Sequence, residues 1–246
     1  MSTIILVTGG SRSGKSAHAL RLAESRPGPW TFVATCPAID EEMARKIEVH
    51  KQERDARTWT TVEEEIDLAG AVERAGAFMN AQNNITSGKA GVQRNSPCPR
   101  TVDSGFRRDD ENVPIPKVAR TSTLSGAGAG IGDSADMRTA AGVILVDCLT
   151  LWINNLMYRA SLAWREVTEQ EVAGLTDAVV RAARSAPGTV IFVTNEVGLG
   201  IVPPDASTRL YRNLVGRCGQ AIAAAANAAV MVVCGMPITL KGDPGT

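Results

Sequence analysis

The clearest chemistry sits in the eight residues Gly9-Gly10-Ser11-Arg12-Ser13-Gly14-Lys15-Ser16, which satisfy the pattern G-x-x-x-x-G-K-[ST]. Glycines let a backbone curl until several N–H groups point at one anion. A helix starting behind such a loop adds its positive end. In this pattern Lys15 reaches the β- and γ-phosphates of a nucleoside triphosphate, and the Ser16 hydroxyl is placed to ligate Mg2+. The expected chemistry is transfer or cleavage at a phosphorus atom.

Three further features could complete such a site. Asp147 ends the apolar run Val143-Ile144-Leu145-Val146. A carboxylate there is either the acidic partner of Mg2+ near a phosphate loop or a cap for the next element. His50 is one of two histidines, and it follows Ile39, Met43 and Ile47 at helical spacing, with Lys51 beside it and Arg54 four residues on. A neutral imidazole, reference pKa about 6.5, could attack an α-phosphorus while the cations gather phosphates; spacing alone favours a histidine that only packs or binds. The other, His18, falls one turn past Lys15 and reads as a helix-surface residue. Thr194-Asn195-Glu196-Val197-Gly198 marks the end of a strand, where Asn195 and Glu196 could position a substrate hydroxyl or a nucleotide, or merely turn the chain.

These residues need a frame. The run Ile4 to Thr8 reads as a strand buried on both faces, followed by a helix from Lys15 to about Ser25. Further strands are expected at Trp30–Thr35, Thr58–Val62, Val143–Asp147, Thr189–Thr194 and, last, Ala229–Val233. Helices are expected from Asp40, over Glu63–Met79, Leu149–Tyr158 and Trp164–Arg184, and from Thr208 to Ala226. Strands alternating with helices imply an α/β fold with a mostly parallel sheet flanked by helices. Residues 80 to 140 break the pattern with Ser96-Pro97-Cys98-Pro99, Pro114-Ile115-Pro116 and a Gly/Ala run from Ser125 to Gly130. Such a stretch buries too little apolar surface to offset its ordering entropy, so it reads as a disordered insertion in a single domain.

Composition narrows the classes. With 26 basic and 26 acidic residues the net charge is zero, which gives no footprint for nucleic acid or an anionic membrane. Five cysteines without a CxxC pair argue against a zinc site or disulfide framework. No apolar run is long enough to span a bilayer, and the first residues read as a core strand rather than a signal peptide, so a cytoplasmic enzyme is expected.

Four segments together resemble one family. They are Ile5 through Ser16; Val33-Ala34-Thr35; Asp40-Glu41-Glu42-Met43 leading to Ile47 and His50-Lys51; and Thr194-Asn195-Glu196-Val197-Gly198-Leu199-Gly200-Ile201-Val202-Pro203. In order and spacing the chain resembles the bifunctional adenosylcobinamide kinase / adenosylcobinamide-phosphate guanylyltransferases of cobalamin synthesis. The resemblance covers nearly the whole chain outside residues 80 to 140. It implies a RecA-like sheet, trimeric assembly, ATP or GTP with Mg2+, and adenosylcobinamide and its phosphate as substrates. It also implies that residues 9 to 16, Ala34, Thr35, Cys36, Lys51, Gln52, Glu53, Arg54, Glu63 and Asp147 bind nucleotide. His50 then matches the guanylylated histidine. Asp147 departs from the family's pattern, which carries glutamate there. Two rival readings are a kinase of another small alcohol without nucleotidyl transfer, and a non-enzymatic RecA-like or GTPase module. Against the second, the chain has no Asn-Lys-x-Asp stretch for reading guanine.

Overall fold

A computed structural model describes residues 2–36, 59–87 and 142–245, with side chains omitted for 83–87. The expected helix from Asp40, with His50 and Lys51 to Arg54, lies outside the described residues, as does most of the expected insertion.

The described chain runs β1 (Thr3–Gly9), α1 (Lys15–Glu24), β2 (Trp30–Ala34), β3 (Trp59–Glu63), α2 (Leu68–Ser87), β4 (Val143–Asp147), α3 (Leu149–Leu162), α4 (Glu169–Ser185), β5 (Thr189–Val193), α5 (Ala206–Ala225), β6 (Ala228–Val233) and β7 (Met236–Lys241). The strands form one sheet in the order β3-β2-β4-β5-β1-β6-β7. All neighbours are parallel except β6 and β7.

The continuous apolar runs are explained by burial on both faces. In β1, Ile4 and Leu6 join one core cluster, while Ile5 and Val7 join the other. Because side chains alternate along a strand, both sets must be apolar. Helix α1 covers one face through Ala19, Leu22 and Ala23. Helices α2 to α5 cover the other, around Trp152, Leu149, Val179 and Leu214. Trp152 is 1% exposed and its indole N–H donates to the Ile66 carbonyl at 2.8 Å, so its polar end is satisfied within the core.

Three expected elements change. Helix α2 starts at Leu68 and continues past Met79 to Ser87. Helix α4 begins at Glu169, not Trp164, because Thr168 and Glu171 form a reciprocal capping box. Trp164 instead sits in a left-handed turn, fully exposed. The strand ending at Val233 is not the last, since the turn at Cys234-Gly235 returns the chain as β7. The residues of β7 are exposed throughout, so no alternation of burial marked it.

Candidate functional site

The carboxyl ends of the parallel strands gather the described candidates. Gly9 closes β1, and the loop to Gly14 leads into α1 at Lys15. A Cβ on Gly9 would lie 2.5 Å from the Val232 carbonyl and 2.7 Å from Ser13 Oγ, so only glycine fits. Gly14 has φ 91° at the N-cap of α1, a left-handed conformation that glycine adopts without strain. The Ser13 carbonyl accepts from Gly235 N at 2.8 Å, which ties the loop to the β6–β7 turn. Lys15 is 9% exposed, and its ammonium donates to the Gly10 carbonyl across the loop at 3.1 Å. Ser13 Oγ is buried without a hydrogen-bond partner among the described residues, a polar atom that a phosphate oxygen would satisfy.

Register places the other candidates in a row. Ala34 of β2 pairs with Glu63 of β3 on one side and Asp147 of β4 on the other. Asp147 in turn pairs with Val193 of β5. Strand β5 alone therefore separates the loop-bearing β1 from the carboxylate-bearing β4. Ser16 and Asp147 are both half-buried and offer oxygen donors. That set fits Mg2+, which takes one or two protein oxygens and completes its shell with water and substrate phosphates.

A polar network that sequence reasoning missed runs along this edge. Thr35 Oγ1 donates to the Cys148 carbonyl and accepts from Cys148 N, both at 2.8 Å. Asn155 donates to the Thr35 carbonyl at 2.8 Å and to the Glu65 carbonyl at 3.2 Å. Cys148 Sγ lies 2.8 Å from Thr150 Oγ1, which accepts from Asn195 Nδ2 at 3.1 Å. Burial, aided by the Asp147 charge, pushes the Cys148 thiol up to about 11. It is therefore neutral and acts by hydrogen bonding. Cys36 follows Thr35 at the end of β2 and is half-buried. No motif announced Asn155 or Thr150, because each bonds across more than forty residues of sequence.

His18 corrects the expectation of a surface position. It is 6% exposed, with Nε2 buried and without a hydrogen-bond partner among the described residues. Burial, with Arg21 nearby, lowers its pKa and keeps the ring neutral. Arg12, by contrast, is exposed at φ 55° on the rim of the loop. Among the described residues no three His, Cys, Asp or Glu side chains cluster as a metal cage, and no helix is long and apolar enough to cross a membrane.

A phosphate loop after the first strand, with a carboxylate two strands away in a mostly parallel sheet flanked by helices, defines a P-loop nucleotide-binding protein of the α/β class. Within that class the chain belongs to the family described as cobinamide kinase / cobinamide phosphate guanyltransferase, whose model matches residues 5–83 and 129–240. The bifunctional adenosylcobalamin biosynthesis protein CobP of Pseudomonas aeruginosa is 30% identical over 239 residues, covering 97% of this chain and 98% of that protein. The bifunctional adenosylcobalamin biosynthesis proteins CobU of Salmonella typhimurium and Escherichia coli are 30% and 28% identical, each covering 97% of this chain and 99% of the relative.

Proposed function

We propose that this enzyme carries out both reactions of its family, as cobinamide kinase and cobinamide-phosphate guanylyltransferase, on adenosylcobinamide and then its phosphate. The observation that carries the reading is the phosphate loop with Lys15 and Asp147 on one sheet edge, in a chain whose family is cobinamide kinase / cobinamide phosphate guanyltransferase. In the first step the hydroxyl oxygen of the aminopropanol arm bonds to the γ-phosphorus of ATP or GTP. The bond to the β–γ bridging oxygen breaks, the nucleoside diphosphate leaves, and the hydroxyl proton passes to a base or water. Lys15 and the loop N–H groups hold the charge that builds on the phosphate oxygens. Ser16 and Asp147 would hold Mg2+, which neutralises phosphate charge when bound.

In the second step a His50 ring nitrogen attacks the α-phosphorus of GTP and pyrophosphate leaves. An oxygen of adenosylcobinamide phosphate then attacks the same phosphorus. The P–N bond breaks, giving the GDP-linked corrinoid and free His50. Splitting the transfer this way replaces one difficult displacement with two easier ones. Lys51, Gln52, Glu53, Arg54, Ala34, Thr35, Cys36 and Glu63 complete the nucleotide site. Family resemblance supports a trimer, and light scattering of the purified protein decides it.

The test is incubation with α-labelled GTP. Label that stays on the protein in alkali, leaves in acid and is lost in His50→Ala supports the histidine adduct. An enzyme that makes the GDP-linked corrinoid yet never carries label rules out that intermediate.

A further inference from the structure

A groove of about 350 Å³ lies between α5 and the β1–β6–β7 side of the sheet, on the face opposite α1. Its upper end adjoins the phosphate loop. Thr8 immediately precedes Gly9, and Glu196 N donates to the Gly9 carbonyl at 3.0 Å. Thr194 stands beside Thr8 across the β1–β5 pair, its N–H donating to the Val7 carbonyl at 3.0 Å. The two threonines are 7% and 5% exposed and both line the groove.

Among the described residues neither hydroxyl has a hydrogen-bond partner, and neither does Asn195 Oδ1, which lines the same space. Thr150 holds the Asn195 amide nitrogen, so the carbonyl oxygen is the end left over. Three orphaned polar atoms in one groove are a costly arrangement in a finished core. They fit a site that awaits hydrogen-bonding groups from a ligand.

The rest of the lining narrows the ligand. Leu6, Val215 and Leu240 make the walls apolar. Helix α5 contributes Gly216 and Gly219, where a Cβ would meet nothing within 4 Å. Glycines inside a helix cost stability, so their use here is explained by room rather than by helix formation. Among the described residues the groove has no aromatic side chain to stack a base. Its charged side chains, Glu196 and Lys241, are exposed at the rim, and Lys241 is engaged by the Ala223 and Ala224 carbonyls. A phosphate or a nucleobase is therefore poorly served. A slender, uncharged chain with an amide and a hydroxyl is well served.

We infer that this groove receives the aminopropanol amide arm of the corrinoid acceptor, the arm whose hydroxyl is phosphorylated. The assignment rests on the cobinamide reading above. Asn195 Oδ1 accepts from the amide N–H or the hydroxyl. Thr8 and Thr194 donate to or accept from the remaining polar atoms, and the methylenes lie against Leu6 and Val215. The corrin ring, too wide for the groove, stays outside. An arm seated this way presents its hydroxyl at the Thr8–Gly9 end, beside the phosphate loop.

Steady-state kinase kinetics with cobinamide and nucleotide varied separately test this. Gly219→Leu fills the groove and should raise the cobinamide KM by about tenfold or more, while the nucleotide KM stays within about twofold. Thr194→Val removes one hydroxyl at constant shape and should raise the cobinamide KM by about three- to tenfold, with Thr194→Ser restoring it. The melting temperature of Thr194→Val should equal or exceed that of the wild type, as expected when an unsatisfied hydroxyl is removed. Folded variants with an unchanged cobinamide KM, or with a nucleotide KM that rises equally, overturn the groove assignment. Should Gly219→Leu fail to fold, the Thr194 pair decides. A wild-type enzyme that phosphorylates no cobinamide overturns the functional reading itself, a result distinct from an active enzyme indifferent to the groove.

Discussion

Lys15 is held on its own loop by the Gly10 carbonyl, so the ammonium is positioned before any phosphate arrives. Preorganised charge of this kind acts mainly on the transition state. Lys15→Met is expected to lower kcat for both kinase and guanylyltransferase by about 10²-fold or more, read by product formation from labelled nucleotide. The thiols give a separate, pH-dependent signature. Burial pushes both Cys148 and Cys218 from 9.0 up to about 11. Below pH 9 the folded and unfolded chains both keep these protons, so stability is flat. Between 9 and 11 the unfolded chain loses protons that the folded one retains, so stability falls as pH rises. Thermal melts at pH 8 and 10.5 check this, and Cys218→Ala should flatten part of the decline.

The elements that hold the site are set by local devices as well as by burial. Thr168 Oγ1 accepts from Glu171 N at 3.1 Å, and Glu171 Oε2 accepts from Thr168 N at 2.8 Å. This box fixes where α4 starts and leaves Trp164 outside. Thr168→Ala is expected to cost about 1 kcal/mol without changing either KM, measured by denaturant unfolding beside kinetics. Helix α5 works differently, since its N-cap Asp205 accepts from Thr208 N while its glycines thin one face. Stability and access to the sheet edge are assigned to different turns of the same helix.

At the scale of the whole chain, the family match stops at residue 83 and resumes at 129. The intervening stretch carries none of the residues assigned to the site. Excising residues 90–128 behind a short linker should leave cobinamide kinase activity within about twofold, because loop-closure entropy changes slowly with length. An insoluble product would show that the segment is needed for folding. The described edge strand β7 presents Met236, Ile238 and Leu240 to solvent at 64%, 50% and 58%.

The phosphate loop was legible because its chemistry is local: glycines, Lys15 and Ser16 must be adjacent for one backbone turn to cradle an anion. The strands β1, β4 and β5 were legible because burial on both faces demands unbroken apolar runs. The sequence by itself thus determined the class of chemistry, the parallel sheet and the family. It could not determine strand order, so the row Glu63–Ala34–Asp147 appeared only once β2 stood between β3 and β4. Nor could it show that His18 is buried, that Asn155 reaches Thr35, or that Thr8 and Thr194 share a groove with α5. Each of those depends on contacts between residues far apart in the chain, which packing decides and adjacency does not.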